Sequence, residues 1–143
     1  MYKFILVFFF STNLLVANDN ISQRQDSMQK FNKLMRSANQ MIKNDEINAD
    51  LSQIYDDIEI IMTQYPTLFP DDSFGGKSKA SEDIISNRDD FNQLSLETAE
   101  FAALASIAAK NQDFDLLQQS HKSLYSSCKS CLLYTSDAAD DCR

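Results

Sequence analysis

The distribution of chain breakers constrains this sequence more than any other feature. The 143 residues include only two glycines and two prolines, and all four lie between positions 66 and 76. Glycine and proline interrupt helices more often than other residues do, so the long stretches on either side favour helix. No segment shows sustained alternation of apolar and polar residues with β-branched side chains, which argues against a sheet. The pattern therefore predicts an all-α fold.

Apolar residues recur at steps of three and four in four separate segments, as expected for helices with one buried face. The four seams are Met28, Phe31, Met35, Ala38 and Ile42; Leu51, Tyr55, Ile58, Met62 and Tyr65; Phe91, Leu94, Thr98, Phe101, Ala105 and Ala108; and Phe114, Leu117, His121, Leu124, Cys128 and Cys131. Helices joined by short connections pack as antiparallel neighbours. The sequence thus predicts an antiparallel four-helix bundle.

The connections between these helices can also be located. Asn44 and Asp45 separate the first two segments, and residues 111–113 form a tight turn before the last one. Residues 66–81 are the longest irregular stretch. Ser81, followed by two acidic residues, has the composition of a helix start, because carboxylates are favourable near a helix N-terminus.

The N-terminus has the composition of a secretory signal peptide. Lys3 precedes a short apolar run, and the small residue Ala17 precedes polar residues. The apolar run is too short for a comfortable membrane span, although an uncleaved anchor is the alternative. We therefore expect residues 1–17 to be a signal peptide and residues 18–131 to form the bundle domain. In a bacterium such a signal peptide directs the protein to the periplasm, where cysteines are oxidised or carry haem.

The net charge of the chain is -8, which disfavours nucleic acid as a partner. A basic or neutral partner is easier to accommodate. The sequence shows no Gly-rich phosphate loop, nucleophile elbow or paired zinc motif, so we expect a protein that is not an enzyme.

Cys128 and Cys131 carry the most informative chemistry. Two thiols three residues apart lie on one face of a helix, the spacing that covalent haem attachment requires. The pair also fits a simple disulfide. A redox dithiol favours a strand-to-helix context, and a zinc site needs more ligands than one histidine and one cysteine pair supply. From the residues alone, haem attachment, a disulfide and other uses of the pair all remain open.

The order of several short motifs resembles the cytochrome c prime family, the class II c-type cytochromes. The resemblance runs from about Ile21 to Cys131. Its parts are Arg24-Gln25 with Met28; Phe69-Pro70 with Ser73, Gly76 and Lys79-Ala80; and Ser127-Cys128-Lys129-Ser130-Cys131. Ile84-Ile85 departs from it, since many relatives have Ile-Trp there.

The resemblance implies one haem c attached to Cys128 and Cys131, and a periplasmic electron carrier that works with redox partner proteins. Met28 would face the haem and serve as a distal iron ligand, and Arg24 would pair with a haem propionate. The alternatives are a core methionine and a solvated arginine. A five-coordinate haem that binds a small gas, or a haem-free secreted binding module, would be the alternative functions. Pairing of two copies into a homodimer is a further expectation from the resemblance.

The family pattern continues with a proximal histidine, but Leu132 occupies that position. His121 lies eleven residues earlier, roughly 16 Å along a helix, so it cannot serve the same iron. The residues from Cys131 to Asp141 read as the translation of a transposase sequencing adapter. We therefore expect residues 132–143 to be a non-native tail, with Cys131 itself encoded by the adapter and histidine at position 132 of the natural protein. A divergent natural tail is the alternative.

Overall fold

The computed structural model describes residues 13–132 and Tyr134, with side chains from Asp19 onwards except at Lys129 and Leu132. The described part contains four long helices and one short helix. They are α1 (Asn13–Lys43), α2 (Ala49–Gln64), α3 (Asp83–Ser86), α4 (Arg88–Asn111) and α5 (Phe114–Leu132), with 3-10 turns at Tyr65–Leu68 and Asp71–Ser73. Most of the predicted signal peptide and of the predicted tail lies outside the described residues.

The turn between α1 and α2 occurs where the sequence predicts it. Asp45 has a φ of 58°, a left-handed conformation that ends the first helix. Asn48 then caps α2, because its Oδ1 accepts hydrogen bonds from the backbone N–H groups of Asp50 (3.0 Å) and Leu51 (3.2 Å).

The turn between α4 and α5 has the geometry of a Schellman motif. Gln112 has a φ of 55°, and the N–H of Asp113 donates to the carbonyl of Ala108 at 2.9 Å. The Asp113 carboxylate then accepts from the N–H of Leu116 at 3.0 Å, which begins the next helix. The reversal is tight enough to make α4 and α5 antiparallel neighbours.

The segment between α2 and α4 differs from the expectation in one detail. A helix does begin just after Ser81, whose Oγ accepts from the N–H of Asp83 at 3.2 Å, but this helix is only the single turn α3. The long helix α4 begins at Arg88 after a break at Asn87, whose φ is -123°. Arg88 also holds the preceding loop, donating to the carbonyl of Phe69 at 2.7 Å and to Asp71 at 2.6 Å.

The interior consists of two groups of buried apolar side chains. The larger one, here called the bundle core, is built from all four long helices and includes Phe31, Tyr55, Ala102 and Leu117. The smaller one, here called the end cluster, contains Tyr65, Phe69, Ala80, Ile84 and Phe91.

Small residues on α4 let α2 and α5 pack closely against it. Ala99, Ala102, Ala105, Ala108 and Ala109 are all buried. The hydroxyl of Ser95 donates to the carbonyl of Met62 on α2 at 2.5 Å. Such a stripe of small side chains brings helix backbones near each other, which strengthens the dispersion contacts between them.

The alternation of helix direction collects the ends of four helices in one place. The part of α1 around Arg24 and Met28 and the first turn of α4 lie near the last turns of α2 and α5, and residues 65–80 cover this end of the bundle. The aromatic rings of Tyr65 and Phe91, from opposite sides of that loop, have centroids 6.5 Å apart. The prediction of an all-α antiparallel four-helix bundle is confirmed. Among the described helices, none combines the length and the apolar character needed to cross a membrane.

Candidate functional site

The cysteine pair lies in the last turns of α5, at the loop-covered end of the bundle. Cys128 and Cys131 are half-buried, and no disulfide joins them. Cys128 packs against the bundle core, and its Sγ lies 3.5 Å from the carbonyl oxygen of Leu124. The Cys128 side chain therefore faces the interior, and Cys131, three residues later, lies on the same side of the helix.

Met28 lies where the two apolar groups meet. It is half-buried on α1 and packs against both the bundle core and the end cluster. A thioether in such a boundary position fills irregular space, and it also has a sulfur lone pair available to a soft metal. The geometry thus places Met28 at the same end of the bundle as the cysteine pair.

Arg24 is deeply buried, although charged side chains are rarely so. Only 2% of it is exposed, and its guanidinium lies 4.1 Å above the centre of the Phe69 ring. Its Nε donates to the carbonyl of Leu68 at 2.8 Å, and Nη1 donates to the carbonyl of Ser73 at 3.3 Å and to Ser78 Oγ at 3.2 Å. Nη2 also bonds Ser73 Oγ. Arg24 is thus not the solvated charge that was the alternative to propionate binding.

His121 is engaged with Tyr55 rather than directed to the cysteine pair. Tyr55 Oη lies 2.8 Å from His121 Nδ1, and the two rings meet edge to face. Burial lowers the pKa of His121, and burial raises the pKa of Tyr55. Both shifts favour the neutral forms, so the hydroxyl can donate to an unprotonated ring nitrogen. The contact ties α2 to α5 inside the bundle.

Leucine at position 132 supplies no atom that can ligate iron, because its side chain is a hydrocarbon. α5 ends at this residue. Beyond it, Tyr134 packs edge to face on Phe91 with ring centroids 6.0 Å apart. The carbonyl of Tyr134 accepts a hydrogen bond from the N–H of Ser81 at 2.9 Å. The remainder of the predicted tail lies outside the described residues.

The residues present fit a covalently attached haem in one respect and not in another. Two half-buried thiols at the required spacing fit attachment, and Met28 at the boundary of two apolar groups fits a distal position. Leu132 does not fit the proximal position. Over the described residues, no group of three or more His, Cys, Asp or Glu side chains is arranged to hold a metal ion.

Two contacts of the structure were not apparent from the sequence. The bonds from Arg24 to Ser73 and Ser78 join residues 49 and 54 positions apart, and no periodicity signals such a contact. The partner of His121 was equally hidden, since Tyr55 reads only as an apolar seam residue. Lys77 and Lys79, in the loop that Arg24 bonds, are exposed.

A helical bundle with a Cys-x-x-Cys pair at the end of its last helix is the arrangement that the sequence analysis connects with class II c-type cytochromes. The sequence model described as Cytochrome C' matches residues 19–131. Since this match spans most of the sequence, the chain belongs to the cytochrome c′ family. Members of this family carry covalently attached haem c and are typically periplasmic.

Among solved structures, the chain is similar to cytochrome c prime from Shewanella frigidimarina, with a TM-score of 0.73 and 22% sequence identity. The similarity covers 83% of this chain and 94% of the other one, and it shows that the two share a fold. No curated protein matches the chain.

Proposed function

We propose that this protein is a periplasmic carrier of electrons, and not an enzyme, that works with redox partner proteins through one haem c bound to Cys128 and Cys131. The observation that carries the proposal is the pair of half-buried cysteines in the last turns of α5, where Cys128 packs against the same apolar core as Met28. When bound, the haem would supply a one-electron redox couple.

Met28 is the residue that favours an electron carrier over a gas-binding protein. It is held against both apolar groups, so its sulfur can ligate iron without the cost of ordering a mobile side chain. A thioether ligand opposite a histidine raises the reduction potential and occupies the position that a gas would need. Without that bond the same site would bind a small gas.

The proposal includes a histidine at position 132 of the natural protein. His121 does not replace it, because its Nδ1 is bonded to Tyr55 and it lies roughly two turns before Cys128. Amplifying the source locus through codon 130 and onwards tests this part directly. Codons for Cys and His followed by a short native end would support it. Codons for Leu132 and the tail would refute it.

The chain can be tested as a haem protein by expressing Leu132→His, with its signal, in a bacterium that matures c-type cytochromes. We expect haem that stays on the polypeptide after denaturation, whereas the Leu132 chain should retain much less. Cys128→Ser in the Leu132→His background is the matched control, and it should lose at least one of the two thioether bonds. Failure of Leu132→His to retain haem would contradict the proposal.

The optical spectrum of that haem-loaded protein separates the two roles. Low-spin iron that becomes high-spin in the further variant Met28→Leu would support electron transfer with Met28 as ligand. High-spin iron before the substitution would refute ligation by Met28 and leave the gas-binding role in its place.

A further inference from the structure

Arg24 connects α1 to the loop that covers the end of the bundle. Its bonds reach three points of that loop: the carbonyls of Leu68 and Ser73 and the hydroxyl of Ser78. A guanidinium presents its N–H donors in a planar fork, so it fixes the relative positions of several acceptors at once. One side chain thereby holds segments of the loop that are up to ten residues apart.

Arg88 holds the first part of this loop at Phe69 and Asp71, so the contribution of Arg24 concerns the part that follows, up to Ser78. The loop's backbone hydrogen bonds from Phe69 to Pro66, Ser73 to Pro70 and Ser78 to Gly75 are local turns that do not tie it to a helix. Gly75 and Gly76 both have positive φ, 80° and 60°, and are exposed. Such a segment keeps much conformational freedom when it lacks an anchor.

Arg24 also supports the part of the end cluster that packs against Met28, here called the wall beside Met28. The guanidinium stacks on Phe69, which is 1% exposed and lies at the centre of the end cluster. The ring of Phe69 meets those of Phe91 and Tyr65 edge to face, with centroids 4.9 and 5.1 Å away. Since Arg24 and Met28 are four residues apart on α1, they lie on the same face of that helix.

We propose that Arg24 is a positioning residue of the haem site, which holds residues 68–78 and, through Phe69, the end cluster against α1. The role in a haem site rests on the proposed function, whereas the anchoring is tested on the chain itself. It differs from propionate binding because the partners of the guanidinium are backbone carbonyls and serine hydroxyls of this chain.

Trypsin provides the test, because Lys77 and Lys79 are exposed within the anchored loop. Under native conditions we expect cleavage after these lysines to become at least tenfold faster in Arg24→Gln than in the unmodified chain, as measured by mass spectrometry of the fragments. Arg24→Lys should restore part of the protection, because it keeps the charge but not the fork. Arg36→Gln, which removes an exposed arginine of the same helix, is the matched control and should leave the rate of cleavage after Lys77 and Lys79 unchanged.

A milder variant covers the case in which Arg24→Gln does not fold. Ser78→Ala removes one acceptor of the guanidinium, together with the 3.2 Å bond from the N–H of Ala80, and should accelerate loop cleavage about threefold. Equal acceleration at Lys77 and at lysines within the helices would indicate global unfolding and overturn the proposal. Unchanged cleavage in both variants would also overturn it.

The second readout uses the haem-loaded Leu132→His protein. If Arg24 positions the wall beside Met28, Arg24→Gln should increase the high-spin fraction of the iron, and Arg24→Lys should reverse part of that change. An unchanged spin state would overturn the role in the haem site. If Leu132→His retains no haem, the proposed function fails, whereas the proteolysis result still decides whether Arg24 anchors the loop.

Discussion

Substitution of Tyr55 by phenylalanine should show how much the hydrogen bond between Tyr55 and His121 contributes to the stability of the bundle. The change deletes one oxygen atom and leaves the aromatic ring in place, so the packing of a fully buried residue is retained. His121 Nδ1 then loses the hydroxyl that lies 2.8 Å away. A net hydrogen bond contributes about 0.5–1.5 kcal/mol, and a half-buried nitrogen left without a partner costs somewhat more. We expect a total loss of about 1–2 kcal/mol at pH 8.

Urea unfolding followed by far-ultraviolet circular dichroism measures this loss. With a slope of about 2 kcal/mol per molar, the midpoint should fall by roughly 0.5–1 M. Tyr125→Phe makes the same chemical change on α5, where the tyrosine is 58% exposed, and should leave the midpoint in place. The slope itself should not change, because the surface exposed on unfolding is the same.

A double-mutant cycle decides whether the loss belongs to this pair. Combined with His121→Leu, the substitution Tyr55→Phe should cost at least 0.5 kcal/mol less than it does alone, because the nitrogen that it orphans is gone. Additive losses from the two substitutions would refute the reasoning, since they would show that the hydroxyl and the imidazole act independently. A destabilisation equal to that of Tyr125→Phe would refute it as well.

Other measurements test other parts of the structure. Burial lowers the folded-state pKa of His121, so the folded state binds fewer protons than the unfolded state does. The free energy of unfolding should therefore fall as pH drops from about 6.5 towards the folded-state pKa. Urea midpoints between pH 5 and 8 measure this, and a flat profile would contradict it. Burial raises the pKa of Asp56, but the bonds from Ser106 and Lys110 outweigh this effect and lower the pKa overall. Asp56→Asn should therefore cost about 1 kcal/mol of stability at pH 7 and progressively less as pH falls below about 4. Equal losses of stability at pH 7 and pH 3 would argue against this. Ala105→Leu should destabilise by about 1–3 kcal/mol, because α4 has no room for a larger side chain at a fully buried position, and an unchanged thermal midpoint would show that the helices can separate.

The sequence pattern predicted the architecture because helix formation and burial follow local rules. Breakers confined to one short region and apolar seams at steps of three and four both depend on residues close together in the chain. The turn at Asp45 and the reversal after Asn111 are likewise local, since a left-handed residue and a capping side chain are enough to end one helix and begin the next. The start of α4 was less well predicted, because a single turn of helix at Asp83–Ser86 intervenes.

The candidate site could be predicted only in part, for a related reason. The thiols of Cys128 and Cys131 and the thioether of Met28 are each visible as seam residues, and the family resemblance joined them into one site. Their attachment to haem and the role of Met28 as an iron ligand stay predictions, as does histidine at position 132. Nothing in the local pattern around Arg24 distinguished a solvated charge from a buried one, because burial depends on which loop folds over it.

Local patterns in the sequence were enough to predict four amphipathic helices, the places where the chain reverses, and the seam of α5 that contains the two cysteines. Three features emerged only from the folded structure: residues 65–80 cover the end of the bundle, Arg24 bonds to them, and Tyr55 contacts His121. The bonds of Arg24 and Tyr55 join residues 44 to 66 positions apart, and they form only after the packing of four helices has brought the partners together.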